Sequence, residues 1–263
     1  MSVWRTQRQI IYLTIVVLAI GLIIFGLVWY FFPKPTCTDG KQNQTEEGID
    51  CGGTCPRACV ATTLPLRVIW TRVFPERAGR FDVAVEIENQ NADRGIERVG
   101  YRIRIYDKDG VILAKKENTI YINPLDKFIV FESGFDTGKK IATVAEFEVI
   151  SQSPWMQSKP IPPAINLERI IEENNFTAPS STPKLRLRVT NRSLEPLEQV
   201  AVSALLLDEN QTVYSGSQTI VDRLDKGQTK EVFFTWPEPL AQEPANIDFT
   251  WHVNGFEQKI TLP

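Results

Sequence analysis

An uncharged run near the start of the chain limits what this protein can be more than any other feature does. From Ile10 to Phe32, 23 residues read IIYLTIVVLAIGLIIFGLVWYFF without a single charge. A helix rises roughly 1.5 Å per residue, so the run would reach about 34 Å, enough to cross a bilayer core of about 30 Å. The run therefore predicts a single transmembrane helix over residues 10–32.

A cleavable signal peptide is the alternative interpretation of the same run. Signal peptides have a shorter apolar core that is followed by small residues, whereas this run is long and ends in the bulky segment WYFFPKP. We therefore expect an uncleaved anchor in the cell membrane. Arg5 and Arg8 precede the run and the far flank is mixed in charge, which predicts a cytoplasmic N-terminus (residues 1–9) and an extracytoplasmic C-terminal region.

The charge balance argues against a nucleic-acid partner. The chain has 29 basic and 32 acidic residues, a net charge of −3. Without Arg5 and Arg8, 27 basic and 32 acidic residues remain beyond the run, a net charge of −5. Nucleic-acid binding needs a basic patch or stripe, and this sequence has no arginine-rich tract.

All four cysteines lie in a short segment, residues 33–60, directly after the apolar run. They are Cys37, Cys51, Cys55 and Cys59. An even number of cysteines on an oxidising side predicts two disulfides, because so short a segment cannot build a sufficient apolar core. Three pairings are open. A zinc site is the alternative, but the usual pairs of cysteines two residues apart are missing.

The loop between the first two cysteines carries five oxygen-bearing side chains, which makes calcium a possible cofactor. Calcium prefers six to eight oxygen ligands, and a small closed loop could hold several of them. The alternative is a turn-rich loop of solvated polar residues. No other cofactor is expected. The candidate ligands are Asp39, Asn43, Glu46, Glu47 and Asp50.

Beyond Val60 the pattern is that of β-strands with one buried face. Apolar residues alternate with polar ones along residues 81–88 and 101–105, and again along 185–189 and 247–253. Further strands are expected near residues 65–73, 111–121, 126–135 and 142–151. A proline-rich stretch, residues 153–163, predicts a linker between a first β-sandwich (63–152) and a second (164–263). The expected fold class is mainly β, with two tandem sandwiches.

The two halves repeat the same landmarks. Asn89 and Asp107 are 18 residues apart, and Asn191 and Asp208 are 17 apart. Each pair is followed by a Leu-Asp-Lys sequence at Leu125 or Leu224. This agreement predicts a tandem duplication of one fold.

Candidate functional side chains are few, and we expect no enzyme. His252, the one histidine, falls on the predicted polar face of its strand beside Asp248, where it would be solvated. Basic stripes on two strands suggest either a solvated sheet face or a binding face for an acidic partner or polysaccharide. These stripes consist of Arg102, Arg104, Arg186 and Arg188.

Two resemblances add to this interpretation. The cysteine segment resembles a motif of extracytoplasmic bacterial proteins, roughly C-x-D-G-x-x-N-x-x-E-x-x-x-D-C-G-G-x-C, although Cys55 and Cys59 are one residue further apart than is common there. The segments Ile103–Asp107 and Ala204–Asp208 resemble the FxLYD family of immunoglobulin-like modules. The first resemblance implies a surface protein, and the second implies immunoglobulin-like sandwiches with a binding or spacer role. Together with the predicted anchor, they lead us to expect a membrane-anchored binding or spacer protein of the cell envelope, with another envelope protein or a polysaccharide as partner. The alternative is an accessory or sensory subunit of a membrane complex.

Overall fold

The computed structural model describes residues 2–31, 37–43, 45–159, 165–169, 176–177 and 182–256. These residues form two compact units, residues 1–55 and residues 56–263. The predicted fold class is confirmed: the chain is mainly β, with one apolar helix at its N-terminus and a disulfide-bonded segment.

The helix α1 spans Ser2–Phe31 and contains nearly all of the predicted apolar run, of which Phe32 lies outside the described residues. Its stretch Gln7–Leu27 is long and apolar enough to cross a membrane. The side chains from Ile10 to Leu27 are exposed among the residues that the structure describes.

The segment that follows is built from turns and closed by disulfides. Cys37 and Cys55 are bonded, with their Cα atoms 5.6 Å apart. Cys51 and Cys59 are disulfide-bonded as well, and none of the four cysteines is free. Gly53 has a φ of 60°, and a Cβ atom there would lie 1.9 Å from the carbonyl oxygen of Thr45, so only glycine fits. The prediction of two disulfides is confirmed, and a tetrathiolate zinc site is incompatible with them.

The first sandwich has two antiparallel sheets. One has the strand order β1-β2-β5, and the other has the order β4-β3-β6, with β7 also paired to β3. Inward residues of both sheets form one core around Val83, Val85, Ile103 and Phe128. The strand bounds are β1 Arg67–Arg77, β2 Arg80–Glu88, β3 Arg94–Tyr106, β4 Ile112–Ile122, β5 Lys127–Asp136, β6 Val144–Gln152 and β7 Trp155–Gln157.

The second sandwich has the same plan. Its sheets have the strand orders β8-β9-β12 and β11-β10-β13, and Leu187, Val202, Leu206 and Phe234 lie in its core. Each strand from β8 to β13 corresponds to one from β1 to β6 in its order along the chain and in its pairing. The bounds are β8 Ile165–Arg169, β9 Lys184–Asn191, β10 Leu197–Leu207, β11 Val213–Leu224, β12 Thr229–Thr235 and β13 Asn246–His252.

The residues that mark the repeat make the same hydrogen bonds in both copies. Asn89 directly follows β2, and its side-chain amide donates to the carbonyls of Arg94 and Asn123, both at 2.7 Å. Asn191 ends β9, and its amide donates to the carbonyls of Glu195 and Leu224, both at 2.9 Å. Both asparagines are almost fully buried. They join the start of one strand to the end of another across the sandwich.

Asp107 and Asp208 accept equivalent hydrogen bonds in the hairpin turns of the two copies. Oδ1 of Asp107 accepts hydrogen bonds from the backbone N–H groups of Asp109 and Val111 in the turn between β3 and β4. Oδ1 of Asp208 accepts from Asn210 and Thr212 in the turn between β10 and β11. The repeat is therefore a repeat of turn chemistry as well as of strand order.

Two predicted boundaries fall inside the first sandwich. Trp155 belongs to the predicted linker, but it is in β7, it is 4% exposed, and it packs in the first core. Ala58, placed in the cysteine segment by the prediction, is in the same core, and its N–H donates to the carbonyl of Trp155 at 2.8 Å. Apolar side chains bring both stretches into the sandwich in spite of their turn-rich surroundings. Residues 160–163 of the predicted linker lie outside the described residues.

Candidate functional site

The five predicted calcium ligands lie in one loop, where several carboxylate oxygens accept hydrogen bonds from within the loop. Oδ2 of Asp50 accepts from the N–H of Gly40 at 2.9 Å. Asp39 accepts from the N–H of Lys41 and from the side-chain amide of Asn43, both at 2.9 Å. These contacts bring Asp39 and Asn43 together and tie Asp50 to the turn that follows Asp39.

Glu46 is the most buried of the five. Its Oε2 atom accepts from the N–H of Asn43 at 3.0 Å, and its Oε1 atom lies 3.2 Å from the sulfur of Cys55. The N–H of Glu47 donates to the carbonyl of Cys51. Among the described residues, Cys37, Glu46 and Cys55 are the single group of three His, Cys, Asp or Glu ligand atoms within 4.8 Å, and both sulfurs belong to the disulfide. Calcium binding stays a prediction.

The four arginines of the predicted binding face form ion pairs across neighbouring strands. Arg102 pairs with Glu117 at 2.7 Å, and Arg104 pairs with Glu148 at 2.6 Å. A hydrogen bond from Arg102, together with its charge, lowers the pKa of Glu117. In the second sandwich, Arg186 pairs with Glu231 and Arg188 with Glu168. An acidic partner would have to displace these carboxylates, and a binding face here stays a prediction.

The two sandwiches share a third apolar core, which we call the seam. The seam lies between the outer face of sheet β1-β2-β5 and the outer face of β10. Strand β2 is therefore buried on both faces: Val83 and Val85 point into the sandwich, and Ala84 points into the seam. The seam contains Phe74, Ala84, Ile129, Leu205 and Leu207, with Trp70, Phe131 and Val213 packed against them.

Polar contacts also join the two sandwiches. Asp126, just before β5, approaches His252 at the end of β13, and Oδ2 of Asp126 is 2.9 Å from Nε2 of His252. The side-chain amide of Asn123 donates to the carbonyl of Val253 at 3.1 Å, and its Oδ1 accepts from the N–H of Gly255 at 3.0 Å. We call these five residues the latch, because they join the last strand of the second sandwich to the first sandwich.

The prediction that His252 is solvated is wrong. The residue is 5% exposed, and its ring stacks on Phe128 at 3.9 Å and on Tyr121 at 4.3 Å between ring centres. Alternation along β13 does place His252 on the face away from its own core. That face is covered by the first sandwich, a tertiary contact that a strand pattern does not contain.

The sequence does carry one signal of the seam. In β10 the alternation breaks into the continuous apolar run from Ala204 to Leu207. A continuous run is typical of a strand buried on both faces. Ala204 and Leu206 point into the second core, and Leu205 and Leu207 point into the seam.

Beside the seam is an open cleft of about 500 Å³, which we call the seam cleft. Its walls come from both sandwiches, with Glu76, Asp82 and Phe131 on one side and Ser217 and Trp236 on the other. A second, more apolar pocket of about 620 Å³ adjoins it. The two share the residues Pro75, Glu76, Ser215 and Trp236.

Two carboxylates of the seam cleft, those of Glu76 and Asp82, have no ion pair with a described basic residue. Oδ1 of Asp82 accepts from the N–H of Gly134 at 2.8 Å, but burial raises the pKa of Asp82 to about 6, and the nearby charge of Glu76 adds to the rise. Oε2 of Glu76 is shielded from solvent and accepts no hydrogen bond from any residue that the structure describes. Among the described residues, no lysine or arginine forms an ion pair with either carboxylate, although the charge of Lys116 acts on Asp82 from further away.

Comparisons with known proteins add no function. No protein-family model and no curated protein matches this chain. Among solved structures, the transglutaminase of red sea bream is similar over 71% of this chain, at 11% identity and a TM-score of 0.22. This chain spans 31% of the transglutaminase chain. A similarity at that level carries no argument about activity.

Proposed function

We propose that this protein is a non-enzymatic, membrane-anchored protein of the cell envelope, whose two extracytoplasmic sandwiches bind or space a macromolecular partner. The observation that carries the proposal is the apolar stretch of α1, whose side chains are exposed within the described part of the chain. An apolar surface of this length is stable in a bilayer and would cause aggregation in water.

The disulfides support the extracytoplasmic side. Disulfides persist in oxidising compartments and are rare where thiols are kept reduced. All four cysteines of this chain are bonded, and they follow directly after the apolar run. Together with Arg5 and Arg8 before the run, this favours a cytoplasmic N-terminus.

The binding or spacer role rests on the seam. Tandem domains with small interfaces move relative to each other. Here an apolar core and the latch join the two sandwiches, so they can act as one rigid body. The proposal includes the FxLYD relationship, which would make such a body a surface module, and a partner that is an envelope protein or a polysaccharide.

The topology can be tested in intact cells with an epitope tag at each end. Added protease should remove the C-terminal tag and leave the N-terminal tag intact. A variant with Arg5→Glu and Arg8→Glu should lose this fixed orientation, while Lys41→Glu, beyond the run, should keep it. Digestion of the N-terminal tag alone would contradict the proposal. A mature chain that lacks residues 1–32 by mass spectrometry would favour the signal peptide instead.

An accessory subunit of a membrane complex is the second candidate, and the exposed apolar side chains of α1 favour it because they could contact partner helices. Exchange of residues 10–32 for an unrelated apolar helix separates the two functions. Retained function supports a surface protein that needs only an anchor. Lost function, with normal membrane insertion, supports the accessory subunit.

A further inference from the structure

We propose that the seam cleft binds a basic side chain, lysine or arginine, which an extended segment of a partner polypeptide presents. The proposal deepens the binding role given above and does not depend on the membrane anchor. Its basis is charge: the cleft places Glu76 and Asp82 on one wall, and among the described residues no basic side chain lines it.

The protein alone leaves these two charges poorly compensated. The buried oxygen of Glu76 has no hydrogen-bond donor, and Asp82 uses one oxygen for the N–H of Gly134. A carboxylate that is removed from water without a partner costs free energy, and two close carboxylates repel each other. A cation in the cleft would offset both effects. The raised pKa of Asp82 agrees with this, because such shifts concentrate at functional sites.

The size and walls of the cleft favour an organic cation over a metal ion. A volume of about 500 Å³ is far larger than an ion and suits a long side chain. No group of three metal-ligating atoms from His, Cys, Asp or Glu is found here within the described part of the chain. Phe74, Phe131 and Trp236 add carbon surface to the walls, and the apolar stem of lysine or arginine packs well on such surface.

The adjoining pocket favours a polypeptide over a small amine. Its walls include Pro75, Phe81, Ile141 and Leu240, which would suit an apolar side chain, although Arg77 and Glu238 also line it. Because the two cavities share a wall, an extended segment could place a basic residue in one and an apolar residue in the other. Alternate pockets of this kind give specificity for extended peptides.

The proposal can be tested with the full-length chain in detergent and a pair of labelled peptides. The probe is acetyl-Leu-Arg-Leu-Arg-Leu-amide, and its control has citrulline in place of arginine, which has nearly the same shape and no charge. We expect saturable binding of the arginine peptide by fluorescence anisotropy, at least tenfold tighter than binding of the citrulline peptide. Binding should weaken with added salt, because it depends on charge.

Three variants locate the binding. Glu76→Gln and Asp82→Asn keep the shape of each side chain and should each weaken binding about tenfold. Ser217→Arg places a guanidinium on the opposite wall, so it should compete with the peptide and abolish binding. Glu148→Gln, on the exposed face of β6, is the matched control and should bind as the unmodified chain does. Circular dichroism verifies that each variant is folded.

Four outcomes would overturn the proposal. They are no binding at millimolar peptide, equal binding of the citrulline peptide, binding unchanged in both carboxylate variants, and binding of free arginine amide as tight as that of the peptide. Calcium that stabilises the chain and loses this effect in Asp82→Asn would assign the cleft to a metal ion instead. None of these results bears on the tag experiment, so the membrane anchor and the cleft can fail separately.

Discussion

At the scale of single residues, the buried asparagines of the two copies explain how each sandwich holds its turns. Asn191 is fully buried, and its side chain bonds to two carbonyls and to the N–H of Ser193. Asn89 does the same with the N–H of Asn91. A buried backbone group that loses its partner costs about 1–3 kcal/mol.

We therefore expect Asn191→Ala to lower the free energy of unfolding by about 3 kcal/mol, since three backbone groups lose a partner at once. Chemical denaturation measures the change. Asn210→Ala is the control: this asparagine is exposed in a hairpin turn, and its substitution should change stability by less than about 0.5 kcal/mol. An equal loss of stability in the two variants would contradict this role of the buried asparagine.

The charge of Asp82 should lower the stability of the fold at neutral pH. Its pKa rises from an ordinary 3.8 to about 6 in the folded chain. Between these values the folded state binds more protons than the unfolded state, so the free energy of unfolding falls as the pH rises through this window. Asp82→Asn keeps an acceptor for the N–H of Gly134 and removes the charge.

The variant should thus be more stable than the unmodified chain by about 1 kcal/mol at pH 7, a value reduced for the partial exposure of the group, and should gain little near pH 4. Thermal unfolding across this range measures the difference. Asp109→Asn, in an exposed turn, should show no such pH dependence. A gain of equal size at pH 4 would contradict the assignment. If the variant also loses peptide binding, the charge of Asp82 lowers stability but is needed for binding.

At the scale of elements, the disulfide-bonded segment should depend on its bonds. Apart from Ala58, which packs in the first sandwich, its described residues bury little apolar surface, with Cys55 and Cys59 as the main buried side chains. Reduction should therefore raise amide hydrogen exchange of residues 37–55 to the rate of an unfolded chain. Exchange in β2, whose Val83 and Val85 are fully buried, should not change. Exchange is followed by mass spectrometry before and after reduction. Protection of residues 37–55 that survives reduction would contradict this view.

The strands were largely predictable from sequence, and the seam was not. Alternation in residues 81–88 and 185–189 locates β2 and β9, because one face of each strand contacts its own core. The same rule gives the direction of His252 but not what lies against it. Ala84 and Ile129 contribute to the seam from separate strands, and Leu205 and Leu207 reach it from the other copy. Contacts of that kind depend on how two folded domains meet, which no local pattern encodes.

The cleft was missed for the same reason. Glu76 and Asp82 are ordinary exposed-looking carboxylates in the sequence, and the walls opposite them belong to β11 and to the residue after β12. The arginine stripes were visible in the sequence. Their ion pairs were not, since each glutamate lies on a neighbouring strand.

At the scale of the whole molecule, the seam should make the two sandwiches unfold together. Ala84 is fully buried there, and its counterpart in the second copy is Arg186 on an exposed face. Ala84→Arg should bury an unpaired charge and separate the sandwiches. Calorimetry should then show two transitions in place of one, with a loss of several kcal/mol in coupling.

Arg186→Ala makes the reverse exchange at the equivalent position and serves as the control. It breaks an exposed ion pair, so one transition should remain, with a shift in stability of less than about 1 kcal/mol. Two transitions in the unmodified chain, or one transition in Ala84→Arg, would mean that the sandwiches are not coupled through the seam.

The seam joins two different faces, and such head-to-tail contacts can in principle be repeated without limit to form a filament. The described residues contain two copies of the repeat. Where the second copy offers Leu205 and Leu207, the first offers Arg104 and Tyr106, and where the first offers Ala84 and Ile129, the second offers Arg186 and Glu231. Both unused faces are thus charged, like the terminal repeats of a solenoid. The pair is its own cap at both ends, because a further copy would meet a charged face in place of the apolar surface that the seam needs.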